Sequence, residues 1–117
     1  LVVIVMGDEV VRRKKGYCLL PVEDRLRIVA AIGGVDHVVA WDDGTQTVDG
    51  MLSLLRPKFF TKGGDRSSPQ AMAPEELAIC SQIGCKILYG VGGYNKAQSS
   101  SDLVLKAFEH FKKSHHA

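Results

Sequence analysis

The sequence predicts an α/β domain built on a parallel sheet with helices on both faces. Two observations carry that prediction. Short, largely apolar runs at Leu1–Met6, Val35–Trp41, Lys58–Thr61 and Lys86–Tyr89 read as strands buried on both faces. Helical patterns stand between these runs, and strands that alternate with helices form βαβ units. Right-handed crossovers then place helices on the two faces of the sheet.

Each element has its own justification. Leu1 to Val5 is a continuous apolar run, the pattern of a central strand. Pro21 suits the first position of a helix. Val22, Leu26, Val29 and Ala30 recur behind it at helical spacing, until Gly33 and Gly34 stop the run. Thr47 is placed to cap a second helix, with Val48, Met51, Leu52 and Leu55 on one face and Pro57 ending it. Pro74 opens a third, with Leu77, Ala78 and Ile83 expected inward and Gly84 at its end. Ser99 or Ser100 caps the last helix, whose apolar stripe is Leu103, Val104, Ala107, Phe108 and Phe111. Residues 112–117 read as a tail, and the 117 residues as one domain.

Composition narrows the function classes. The chain is 45% hydrophobic and 24% charged, as ordinary globular domains are. Its formal net charge of +2 gives no argument for nucleic acid as a partner. No run is long enough to span a membrane. Cys18, Cys80 and Cys85 are an odd set with no zinc spacing. They read as small buried or half-buried residues in a reducing compartment, so the chain reads as cytoplasmic. His37, His110, His115 and His116 form no metal pattern. His37 follows Asp36 on a strand and reads as structural, and Trp41, at a strand end, as a packing residue.

In a parallel sheet of this kind, ligands bind beyond the carboxyl ends of the strands. The last such segment, Gly90 to Ser101, carries three glycines, Lys96, and then Ser99, Ser100 and Ser101 opening a helix. Free amides, hydroxyls and a cation at a helix start suit phosphate; the plainer reading is a loop with an ordinary serine cap. Phe60-Thr61-Lys62-Gly63-Gly64-Asp65 sets a cation and a carboxylate after a strand, without matching a Walker A loop; the plainer reading is a glycine turn. Arg12-Arg13-Lys14-Lys15 is a third candidate, with Arg25 able to point back toward it; otherwise it is a solvated face.

Taken together these segments resemble one family. Val5-Met6-Gly7-Asp8-Glu9-Val10, Arg13-Lys14-Lys15-Gly16 and Leu20-Pro21-Val22-Glu23-Asp24-Arg25 are similar in order to the S/G-D-E, x-K-G and P-x-x-x-R succession of cytidylyltransferase-like enzymes. Val35-Asp36-His37-Val38-Val39 resembles their V-D-x-V-V strand. Leu55-Arg56-Pro57 and Lys62-Gly63-Gly64-Asp65 are similar to the R-P-D and K-G-G-D segments of heptose-phosphate adenylyltransferases. Ala97-Gln98-Ser99-Ser100-Ser101-Asp102-Leu103-Val104 resembles the nucleotide-phosphate segment G-x-S-T-[TS]-x-[LI]-I.

The resemblance implies a Rossmann-like nucleotidylyltransferase fold. It also implies transfer of a nucleotidyl group from ATP or CTP to a small sugar or polyol phosphate, with Mg²⁺ and release of pyrophosphate. Lys15 would then be the catalytic cation. Arg25, Lys62, Gly64, Asp65, Lys96, Ser99, Ser100 and Ser101 would bind nucleotide or phosphate. Glycerol-phosphate cytidylyltransferases are nearly as similar as the heptose-phosphate subgroup. Members often dimerise, so the resemblance allows a homodimer.

Two departures stand out. The family's H-x-G-H motif, which follows its first strand, has no counterpart, and the similarity begins at the family's second strand. The first strand is central in that sheet, so its loss would unpair buried backbone on both sides, at roughly 1–3 kcal/mol per group. The expectation is therefore that a preceding segment supplies it; the alternative is a non-catalytic nucleotide-binding module, or a scaffold domain. The second departure is Lys96 and Ala97, where many relatives carry Arg and Gly. Lysine is the weaker bidentate phosphate ligand.

Overall fold

The computed structural model describes residues 1–64, 68–93 and 99–115. The elements run β1 (Val2–Met6), α1 (Asp8–Lys15), α2 (Val22–Ala30), β2 (His37–Trp41), α3 (Asp49–Leu55), β3 (Phe59–Thr61), a 3-10 turn at Pro69–Ala71, α4 (Pro74–Ile83), β4 (Lys86–Leu88) and α5 (Ser100–His115). All four strands fall within the runs expected from the sequence.

The strands pair in parallel, but as two separate pairs. β1 lies beside β2, with Val2 opposite His37 and Met6 opposite Trp41. β3 lies beside β4, with Phe59 opposite Lys86 and Thr61 opposite Leu88. The expectation was a parallel sheet without the family's central first strand; among the described residues there are two two-stranded sheets, and no described strand bonds to both. The architecture is thus α/β with short parallel sheets, compatible with a Rossmann-like fold.

Each pair has its own apolar packing. Leu52 of α3, Cys80 of α4 and Cys85 form a buried cluster, flanked by Val48, Phe60, Ile79, Ile83 and Ile87. In the other half, Val5, Val10 and Trp41 are buried. Trp41 is 2% exposed, so its packing role is firmer than its place at a strand end implies. All three cysteines are free thiols, Cys18 half-buried and the other two buried.

Several local expectations shift. α1 turns the basic run Arg12–Lys15 into the last turn of a helix whose first turn holds Asp8 and Glu9. That charge order complements the helix dipole. Pro21 caps α2 from outside, in extended conformation, and is not its first residue. Thr47 does not cap α3: Val48 holds the cap position, and the Val48 amide donates to the Glu76 carboxylate at 3.1 Å. On α4 Glu76 and Cys80 are buried and Ile83 packs against the core as expected, whereas Ala78 is exposed. α5 continues through Lys112 and Lys113 to His115, where the sequence reads as a tail. Its expected apolar stripe is largely uncovered, with Phe108 62% exposed.

Candidate functional site

The site is built at the ends of β1 and β2 and at the start of α5. After β1, the Gly7 amide donates to the Trp41 carbonyl at 2.6 Å, which fastens the strand end to β2. Asp42, just past β2, accepts from the Glu9 amide at 3.3 Å and so caps α1. An ideal Cβ on Gly7 would stand 2.5 Å from Asp42 Oδ2, so only glycine leaves room for that cap.

α1 ends at Gly16, which takes φ 85° and returns its amide to the Arg12 carbonyl at 2.7 Å. This left-handed turn is costly for residues with a side chain. It leaves Lys15 on the last turn of α1 and sends Tyr17 toward α5. Lys15 Nζ donates to Ser100 Oγ. The Tyr17 hydroxyl lies 3.5 Å from Ser101 Oγ. Ser99 caps α5, its Oγ accepting from the Asp102 amide at 3.4 Å. The first amides of a helix have no intrahelical acceptor. Lys15, Ser99, Ser100 and Ser101 therefore gather a cation, hydroxyls and a helix N-terminus in one place, the chemistry that suits phosphate oxygens.

Arg25 joins the segments at the other end of α1. Its Nη2 donates to Asp8 Oδ1 at 2.7 Å, its Nε to the Leu20 carbonyl at 2.9 Å, and its Nη1 to the Met6 carbonyl. The guanidinium thus joins the end of β1, the start of α1 and the loop before α2. Its hydrogen bond to Asp8 holds that carboxyl below the ordinary carboxylate range, against the opposing effect of desolvation.

Lys62 and Gly64 sit beyond β3. The Lys62 amide donates to the Leu88 carbonyl at 2.8 Å and its carbonyl accepts from Val91 at 2.9 Å. Its ammonium reaches Glu76 Oε1 at 3.0 Å and stands 4.6 Å from the Phe60 ring centroid. Asp65 and Lys96 lie outside the described residues. Lys15 and the serines thus come together, whereas the described partners of Lys62 belong to the half holding β3, β4, α3 and α4.

Sequence reading missed Tyr17 and Glu76. Tyr17 carried a signal, since it follows a helix-ending glycine beside the basic run. Glu76 carried none beyond its four-residue spacing from Cys80. Next to Cys80, burial and the neighbouring Cys85 thiol push the Cys80 thiol up to about 11. No helix among the described residues is long and apolar enough to cross a membrane.

Fold and site together define an α/β protein that gathers cation and hydroxyls at the N-terminus of its last helix. No family model matches the chain. It is 42% identical over 77 residues to the bifunctional protein HldE of Alcanivorax borkumensis, covering 64% of this chain and 16% of that protein. It is 35% identical over 111 residues to the bifunctional protein HldE of Streptomyces coelicolor, covering 93% and 22%. Against the bifunctional protein HldE of Methylococcus capsulatus it is 33% identical over 97 residues, covering 81% and 20%. The chain thus spans 16% to 22% of the length of these curated relatives. The matches support a cytidylyltransferase-like family for the chain.

Proposed function

We propose that the whole protein is a nucleotidyltransferase that joins ATP or CTP to a small sugar or polyol phosphate. A phosphate oxygen of the acceptor attacks the α-phosphorus. The bond from that phosphorus to the bridging oxygen breaks, and pyrophosphate leaves with the electron pair. Such a reaction depends on positioning and on charge stabilisation. The observation that carries this reading is the meeting of Lys15 with Ser100 at the start of α5, which unites two segments that resemble the family's motifs.

In this reading Lys15 neutralises charge on the phosphates as the bond breaks. Ser99, Ser100 and Ser101 hold phosphate oxygens, with Lys96, shortly before them in the sequence, adding charge. Arg25 supports Lys15 from a distance, by tying the end of β1 to the start of α1, the helix that Lys15 ends. Lys62, Gly64 and Asp65 serve the nucleotide or the acceptor at the other strand end. The heptose-phosphate subgroup is favoured by Lys62-Gly63-Gly64-Asp65 and by the HldE matches.

Mg²⁺ enters as the companion of the triphosphate. Among the described residues no group of three or more His, Cys, Asp or Glu could hold it. Mg²⁺ is commonly bound through substrate phosphates and one or two carboxylates, so no protein cage is required of this chain. Bound there, it would offset charge on the phosphates.

The test uses the full-length protein with ATP or CTP and with glycerol phosphate or a heptose phosphate. Pyrophosphate release with one pair is expected. Nucleotide binding with no release across the panel would overturn the enzyme reading in favour of a binding module. An unchanged melting temperature under all ligands would point to a scaffold, because a ligand of the native state must stabilise it.

A further inference from the structure

Glu76 is a carboxylate where charge is rarely found. It is 6% exposed on the inward face of α4. Its Oε2 accepts from the Val48 amide at 3.1 Å, at the start of α3. Its Oε1 accepts from Lys62 Nζ at 3.0 Å. Burying such a pair is not in general a gain in stability over apolar residues of similar size. A buried ion pair does fix geometry, and this one fixes a lysine that belongs to the strand-end site.

Lys62 is held from several directions. Its backbone is bonded to Leu88 on one side and Val91 on the other. Its ammonium rests over Phe60 and against Glu76. A lysine stem has four rotatable bonds, and a free one would spread its charge over several ångströms. Here the carboxylate selects one position for the ammonium, and an ammonium has three protons to donate.

We infer that Glu76 is a positioning residue: it acts through Lys62, presenting that cation to a phosphate group at the carboxyl end of β3. The inference rests on the nucleotidyltransferase reading for the reaction, but not for the binding. The phosphate belongs either to the nucleoside triphosphate or to the phosphorylated acceptor, and separate titrations distinguish them.

The experiment compares full-length wild type with Glu76→Gln, Lys62→Gln and the double variant. Glutamine keeps an acceptor for the Val48 amide and removes the charge that holds Lys62. Glu76→Gln is expected to raise KM for one of the two substrates about tenfold, the effect of one charged hydrogen bond, with kcat within about twofold. In the Lys62→Gln background the same change should have no further effect on KM, since the positioned group is gone. A lowered melting temperature with both KM values unchanged would overturn the inference and leave Glu76 a purely structural residue. So would an equal rise in KM whether or not Lys62 is present.

Should Glu76→Gln alone fail to fold, Lys62→Gln and the double variant are compared directly. Equal KM values support the inference, and a further rise in the double variant overturns it. If the wild type releases no pyrophosphate, the reaction reading fails by itself. The variants are then read by the melting-temperature rise that ATP, CTP, glycerol phosphate or a heptose phosphate produces. A rise that shrinks in Glu76→Gln supports positioning, and an unchanged or absent one overturns it.

Discussion

Lys15, the last residue of α1, donates its ammonium to the hydroxyl of Ser100, the first residue of α5. The two stand 85 positions apart in the sequence. Neither residue alone marks a site: one ends a basic run, the other follows a serine cap. Their meeting sets a cation beside a hydroxyl at a helix start. Replacing Lys15 by Ala in the full-length protein is expected to lower kcat/KM for pyrophosphate release by about 10²-fold or more, the usual effect of removing one charge-stabilising donor. Lys15→Arg should recover part of the loss, because the charge returns with a different geometry. Wild-type kinetics in Lys15→Ala would remove this residue from the reaction.

How far all this was legible in the sequence depends on what each residue had to signal. The strands were readable because Leu1–Met6 and Val35–Trp41 are short, largely apolar runs of a length that suits strands. The end of α4 was readable because Gly84 takes φ 71°, a conformation that favours glycine. α1 did not stand out as a helix because Val10 is its only buried residue, and one valine makes no periodic stripe. Glu76 was unreadable because a glutamate is placed outward by default; only the Val48 amide and the Lys62 ammonium, both distant in sequence, turn it inward. The pairing of Lys15 with Ser100 is likewise a product of the fold. The family motifs gave the order of these segments, but no distances.

The Asp8–Arg25 pair gives a pH-dependent prediction. Arg25 holds the Asp8 carboxyl below the ordinary carboxylate range, chiefly by the direct hydrogen bond. A carboxyl whose value is lowered on folding contributes stability above its unfolded value. That contribution is lost as the pH falls through the folded value. Wild type should therefore melt higher than Asp8→Asn at neutral pH, and the two curves should converge below the usual carboxylate range. Melting temperatures of both proteins across an acid series check this. A gap that stays constant to strongly acidic pH would mean that the carboxylate charge plays no part.

Gly7 makes a steric prediction with an internal control. Its backbone, at φ −66° and ψ 169°, is open to any residue, so the constraint is space alone. An added Cβ would press into Asp42 and push it off the Glu9 amide that it caps. Gly7→Ala should cost about 1–3 kcal/mol, the range for forcing a methyl into a filled place. Gly33, whose added Cβ would meet nothing within 4 Å, is the control. Gly33→Ala should stay within roughly 0.5 kcal/mol of wild type, as surface substitutions do. Urea midpoints at unchanged slope measure both. Equal midpoints for the two variants would refute the crowding at Gly7.

The three thiols should react in a fixed order. Burial, reinforced by the Cys85 thiol, pushes Cys80 up to about 11. At pH 8 its thiolate fraction is then on the order of 10⁻³, and the thiolate is the reactive form. Cys80 and Cys85 are also closed into the core with Leu52, so a reagent reaches them only when that half of the molecule opens. Cys18 is half-buried, at the loop that Arg25 fastens. Iodoacetamide on the native protein at pH 8 is expected to modify Cys18 first, with Cys80 and Cys85 following together only as urea is added. Peptide mass mapping against time and urea concentration reads the order. Equal rates at all three in native buffer would mean that the core around Leu52 is open, and with it the frame that holds Glu76 against Lys62.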